Sequence, residues 1–197
     1  TNLVFQHEIT GFNSPRYIEF YGNKAFVSDL KQKAIYVVDL VSKQITNQIQ
    51  TQGWTETIIM QNNLIYVLDR GDYLSNSDSN YVYIVNPNSE IKLDSIKTNI
   101  NPNSMLIENN QLWILSSGKS GINKASLSQF DLSSHVLLKN IKFPSFSDNP
   151  SRLVIHPDGK QLFFLNSSVY SQNTSETRFN PTTLIQKGTE NFYGLFF

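Results

Sequence analysis

The chain repeats itself, and that constrains its fold more than any other feature. Four segments share one grammar: SPRYIEFYGNKAFVSDLKQKAIYVVDLVSKQITNQI from residue 14, WTETIIMQNNLIYVLDRG with NYVYIVNPNSEIKLDSI from 54, NPNSMLIENNQLWILSSG with ASLSQFDLSSHVLLKNI from 101, and NPSRLVIHPDGKQLFFLNSS from 149. Each opens on a turn with Pro or Thr, then runs through a short apolar strand, a Gly/Asn/Asp turn, an aromatic-rich strand, a polar loop, a third strand, a turn and a last strand. Arg16, Glu56, Asn103 and Ser151 stand at matching positions, with Tyr193 opening an incipient fifth copy, at spacings of 40, 47, 48 and 42 residues. Hairpins repeating every 40 to 50 residues or so are the signature of four-stranded propeller blades. The hairpin grammar fits neither a leucine-rich nor a hexapeptide solenoid.

Composition agrees with an all-β chain. There are 22 Asn and 23 Ser against 3 Ala, with 18 Ile, 13 Phe and 9 Tyr. Alanine is the best helix former, β-branched and aromatic residues suit a pleated surface, and Asn and Ser suit turns. No window carries apolar residues at helical spacing between start and stop signals. The expectation is a β-propeller of four-stranded antiparallel blades, about four of them, at 14–50, 54–98, 101–143 and 149–187. Residues 1–10 and 190–197 read as strands of adjoining, partial blades. In the first blade the strands are expected at 17–20, 24–28, 34–39 and 44–50, and later second strands at 64–68, 112–115 and 162–165. Runs such as IYVV and YVYIV are apolar on both faces, as strands sandwiched between stacked blades must be.

Several classes are excluded. With 16 basic and 16 acidic side chains the formal charge is zero, against the basic surplus that nucleic-acid binding requires. The absence of cysteine removes disulfides, thiolate zinc sites, iron–sulfur clusters and a cysteine nucleophile. Apolar runs stop at four or five residues, far below the roughly 20 of a membrane-spanning helix. His7, His135 and His156 fall at unrelated positions, without an HExxH motif, and there is no GxSxG elbow, P-loop or GxGxxG. Neither a catalytic residue nor a metal or cofactor site is nominated, and the chain reads as a non-enzyme.

The phrases GNKAFVSD (22–29), AIYVVDLVSKQI (34–45), LIYVLD (64–69) and YVYIVNPNSEI (81–91) resemble the blade of the YncE-like, or YVTN surface-layer, propeller family. SPRYI (14–18), LWILSSG (112–118) and NFYGL (191–195) are most similar to its BtuG-like branch, the outer-surface lipoproteins of gram-negative bacteria. The resemblance implies a ring of seven blades, of which this sequence would be a portion or would be completed by another chain. It implies a location at the cell surface, on the outer membrane, with a lipid anchor upstream of Thr1. It also implies capture of cobalamin or a similar large nutrient for a TonB-dependent transporter. Two alternatives stand beside it: a protein-interaction or scaffold propeller of a surface complex, and an enzyme of lactonase or quinoprotein type with a metal or cofactor in the axial channel.

In a propeller the connections into the first strand and out of the second open on one face, where loops on a rigid scaffold hold ligands. The start of the first strand supplies Arg16, Trp54, Glu56, Asn103, Ser151, Arg152 and Tyr193; the end of the second supplies Asp29, Asp69, Arg70, Ser116, Ser117 and Asn166. These positions are equivalent by repeat yet differ in chemistry, as a ring of specificity residues would. The competing reading has Asp and Ser there bonding only the loop backbone. Trp54 is either a stacking platform for a planar ligand or a plug between blades, and Trp113, inside a strand, reads as core. The insertion RGDYLSNSDSN (70–80) could hold a hard cation through Asp69, Asp72 and Asp78, although solvated polar loops are commoner. Tyr73 within it is a candidate lid.

Overall fold

A computed structural model describes residues 4–5, 7–71, 80–189 and 192–195. Its described residues form four antiparallel sheets of four strands each, without helix, so the chain is an array of β-propeller blades. The first blade contains β1 (Pro15–Tyr21), β2 (Lys24–Asp29), β3 (Ala34–Asp39) and β4 (Gln44–Gln50); the second β5 (Thr55–Gln61), β6 (Leu64–Asp69), β7 (Tyr81–Asn86) and β8 (Ile91–Lys97). The third has β9 (Pro102–Glu108), β10 (Gln111–Ser116), β11 (Ser126–Asp131) and β12 (Leu137–Lys142), and the fourth β13 (Ser151–Ile155), β14 (Gln161–Asn166), β15 (Ser168–Asn173) and β16 (Thr182–Ile185). Within each sheet the strands pair in sequence order. In the first blade β1 extends beyond the expected 17–20 at both ends, while β3 and β4 match the sequence pattern.

Local turn chemistry sets this repeat. Asn62 and Asn63 both have positive φ, as do Asn109 and Asn110, which gives each hairpin the two-residue turn whose twist matches its strands. The turn between third and fourth strands uses one device three times. Asp39 Oδ1 accepts the N–H groups of Val41 and Ser42, Asn86 Oδ1 those of Asn88 and Ser89, and Asp131 Oδ1 those of Ser133 and Ser134. Each time a left-handed residue follows, respectively Lys43, Glu90 and His135. His135 is thus a turn residue, and its Nδ1 lies 2.9 Å from Asp94 Oδ2 on the neighbouring blade's outer strand.

The core lies between blades. Phe26, Ile35 and Val37 of the first blade meet Ile58, Ile65, Val67 and Val85 of the second. Tyr66, Leu68, Val82 and Ile84 of the second meet Met105, Leu112, Ile114 and Phe130 of the third. Trp113, fully buried, joins Leu115, Leu127 and Phe143 against Leu153, Leu162 and Phe164 of the fourth. Second and third strands are covered on both faces, whereas the fourth strands are mostly exposed at the rim. The first strands contact one another in succession, β1 to β5 to β9 to β13, and so line the axis.

The described residues among 1–10 and 190–197 lie outside the four sheets. Ile9 and Phe12 instead pack on Ala25, Val27, Ala34, Tyr36 and Val38, the first blade's other face. Phe12 meets the Tyr36 ring edge-on at 5.3 Å. That cover is incomplete: Ile18 is 51% exposed, whereas its repeat equivalent Ile58 is 4% exposed against the preceding blade.

Candidate functional site

Every first strand starts with a β-bulge. The ladder register shifts between Pro15 and Ile18, between Thr55 and Ile58, and between Ser151 and Val154. In the third blade Leu115 pairs with Ser104 and Ser116 with Pro102, which leaves Asn103 as the residue the ladder skips. A bulge adds an unpaired residue and re-aims side chains that strict alternation would send to opposite faces. Arg16 and Tyr17, adjacent in sequence, consequently line the same cavity. Arg152 sits in its bulge with a φ of 60°, a left-handed conformation unusual for a side-chain-bearing residue inside a strand.

The bulges converge on one cavity of about 300 Å³ near the axis. Arg16 and Tyr17 enter it from the first blade, Glu56 and Arg70 from the second, Asn103 and Ser117 from the third, and Asn149, Ser151 and Arg152 from the fourth. Glu56 organises the positive side of this lining. Its carboxylate, 7% exposed, accepts a hydrogen bond from Arg16 Nε at 3.1 Å through Oε2 and another from Arg70 Nη1 at 3.1 Å through Oε1. The two guanidiniums are thereby held on either side of one buried acid. No described carboxylate pairs with Arg152. Asn103 Nδ2 donates to Pro150 O at 2.8 Å and ties the third blade to the loop that leads into the fourth.

The ends of the second strands do a different job. Asp29 is fully buried: Oδ2 accepts Asn13 N–H at 2.6 Å, both oxygens accept Ser14 N–H, and Oδ1 accepts Lys31 N–H. Asp69 repeats this one blade on, taking Gly53 N–H at 2.7 Å and Gly71 N–H at 2.8 Å. Burial pushes the Asp69 carboxyl up to about 6, against the lowering pull of those N–H groups. Gly53 is required beside it, because a Cβ there would stand 2.3 Å from Asp69 Oδ1. Asn166 bonds Asn149 N–H through Oδ1 and Asp148 through Nδ2. Beneath Glu56, the Thr55 hydroxyl accepts Asp29 N–H at 3.0 Å and donates to Ala34 O at 2.9 Å, joining two blades.

Of the residues selected from sequence, the cavity therefore gathers Arg16, Glu56, Arg70, Asn103, Ser117, Ser151 and Arg152. Asp29, Asp69, Ser116 and Asn166 lie outside this lining: the first three are fully buried, and Asn166 bonds the loop through Asn149 N–H and Asp148. Trp54 is half-buried outside this lining, with its backbone paired to Gly71 O and Arg70 N–H. Tyr193 is exposed and away from the cavity. Tyr73, with Asp72 and Asp78 of the cation reading, lies outside the described residues. Tyr17 and Asn149 were missed; Tyr17 is hidden from alternation arguments by the bulge, and Asn149 shows only as the loop residue before Pro150. Among the described residues no group of three His, Asp or Glu side chains gathers as a metal site would require, and no helix is long and apolar enough to cross a membrane.

Fold and site together define a β-propeller with a polar, arginine-lined cavity at its axis. No protein-family model matches the chain, and no curated protein does. Among solved structures it is similar to hydrazine synthase from Kuenenia stuttgartiensis, with a TM-score of 0.69 and 18% identity over 91% of this chain and 52% of that one. It is also similar to the computationally designed Ika8 protein, with a TM-score of 0.62 and 12% identity over 86% of this chain and 49% of that one. The chain spans about half the length of these structures, and at such identities the likeness carries the fold alone.

Proposed function

We propose that this chain is a non-enzymatic ligand-binding propeller of the bacterial cell surface, which captures a nutrient at its axial face for a TonB-dependent transporter. Cobalamin is the ligand that the YncE-like and BtuG-like resemblance brings forward. The observation that carries the binding reading is the convergence of four bulged first strands, each with polar side chains, on one cavity. Blades packed through apolar cores give those side chains a rigid base, so little ordering cost remains to be met on binding. A corrinoid is far larger than 300 Å³. It would rest on the axial face and insert only one of its groups.

Calorimetric titration of the chain with cobalamin tests this reading. Saturable binding, weakened at least tenfold by Arg16→Ala and by Asn103→Ala with thermal midpoints unchanged, is the expected result. Binding that ignores both substitutions, or no binding of cobalamin, would remove this ligand and this site.

A further inference from the structure

We infer that the axial cavity is an oxyanion receptor: the group of the ligand that enters it is a carboxylate or a phosphate. The inference rests on the ligand-binding reading of the same cavity and names the chemistry of what enters. Three guanidiniums, those of Arg16, Arg70 and Arg152, line the cavity with a single carboxylate, Glu56, among the described residues. Glu56 is the most buried of the charged groups and bonds Arg16 and Arg70 through separate oxygens, so both of its own oxygens are already occupied. Among the described lining residues guanidinium groups therefore outnumber carboxylates, in a chain whose formal charge is zero.

The geometry suits an oxyanion more than a neutral polar group. Arg16 offers Nε to Glu56 while its side chain is 41% exposed, so its terminal nitrogens are not bound by that contact. A guanidinium presents donors in a planar fork matched to two oxygens of a carboxylate or phosphate. Arg152 approaches from the fourth blade, and its left-handed backbone is the kind of local strain that a fold retains where a side chain must be aimed. The neighbouring lining from Ser117, Asn149 and Ser151 is neutral and able to donate. A cavity of about 300 Å³ admits a small dicarboxylate, inorganic phosphate or the charged group of a larger ligand.

The chain offers a rival basic location. Lys97, Lys124 and Lys142 line a cleft of about 290 Å³ between the second and third blades, with no carboxylate among the described lining residues. Lysine ammonium groups lack the fork and hold anions as point charges. The experiment therefore includes both locations. Inorganic phosphate and succinate are each titrated into the 197-residue chain by calorimetry at low and at physiological ionic strength, alongside cobalamin. Arg16→Gln with Arg152→Gln and, separately, Lys97→Gln with Lys142→Gln are the test variants, with thermal midpoints as the folding control.

The expected result is saturable binding of at least one oxyanion, weakened tenfold or more by the arginine pair, changed less than threefold by the lysine pair, and weakened by salt. Preference for phosphate over succinate, or the reverse, assigns the source of the charge. The inference is overturned if neither oxyanion binds, or if the lysine pair abolishes binding and the arginine pair does not. Cobalamin binding that survives in the arginine pair while oxyanion binding is absent would sink the oxyanion reading alone. Loss of all three ligands from the unmodified chain would sink the ligand-binding reading with it.

Discussion

Replacing Glu56 by Gln tests the organisation of the cavity most directly. The carboxylate is nearly buried and accepts two charge-assisted hydrogen bonds, one from Arg16 and one from Arg70, both at 3.1 Å. Such a bond contributes roughly 1.5–3 kcal/mol where water is excluded. Arg16 is 41% exposed, so solvent screens its pair to about 0.2–1 kcal/mol. Arg70 is 25% exposed and retains more, about 1–2 kcal/mol. Glutamine keeps one acceptor but turns an amide N–H₂ toward the other guanidinium, where it can only repel. The expected loss of unfolding free energy is about 2 kcal/mol, roughly a thirtyfold change in the folded-to-unfolded ratio. Urea unfolding is the assay, since guanidinium chloride would itself screen the arginines. The gap from the unmodified chain should narrow at about 1 M NaCl, where the Debye length falls to roughly 3 Å. A change below about 0.5 kcal/mol at low salt would refute the claim that Glu56 holds the two arginines.

Three further outcomes follow from the same geometry. The folded chain holds the Asp69 proton up to about pH 6 while the unfolded chain releases it near the ordinary carboxylate value. Its contribution to stability is therefore full below about pH 4 and is lost as pH rises through 6, by up to about 3 kcal/mol; urea unfolding of Asp69→Asn should lose that downward slope. Ile58→Ala should cost about 2–5 kcal/mol, while Ile18→Ala at the equivalent position should stay within about 0.5 kcal/mol, because Ile58 is packed between blades and Ile18 is half exposed. Equal costs in thermal unfolding would show that something covers the first blade. Thr55→Val leaves Asp29 N–H and Ala34 O without their shared partner; a loss of about 1–3 kcal/mol is expected, and a neutral result in urea would mean the blades are joined by apolar packing alone.

What could be read without coordinates, and what could not, divides by range. The turn residues speak locally: paired asparagines at 62–63 and 109–110, and an Asp or Asn closing each of the first three third strands, satisfy nearby backbone groups with their own side chains. Strand boundaries such as β3 and β4 therefore stand where the sequence puts them, and Trp113 is core as expected. The candidate site was half legible, since repeat equivalence brings Arg16, Glu56, Asn103 and Ser151 together, with Arg152 beside the last. It could not separate residues aimed at the axis from residues spent on loops. Asp29 and Asp69 carry the same chemistry as a ligand-binding acid, and only the positions of Ser14, Gly53 and Gly71 reveal that their oxygens are already taken.

The sequence by itself determined the blade. Hairpin turns, period and alternating apolar residues are local instructions, each satisfied within some 40 residues. The tertiary structure alone decided the cavity. Bulges break the alternation on which a sequence reading depends, and the ion pairs join residues as far apart as Arg16 and Glu56, on different blades. Contacts across that distance exist only once the blades have packed, so the charge balance at the axis is a property of the assembled array and of no single repeat.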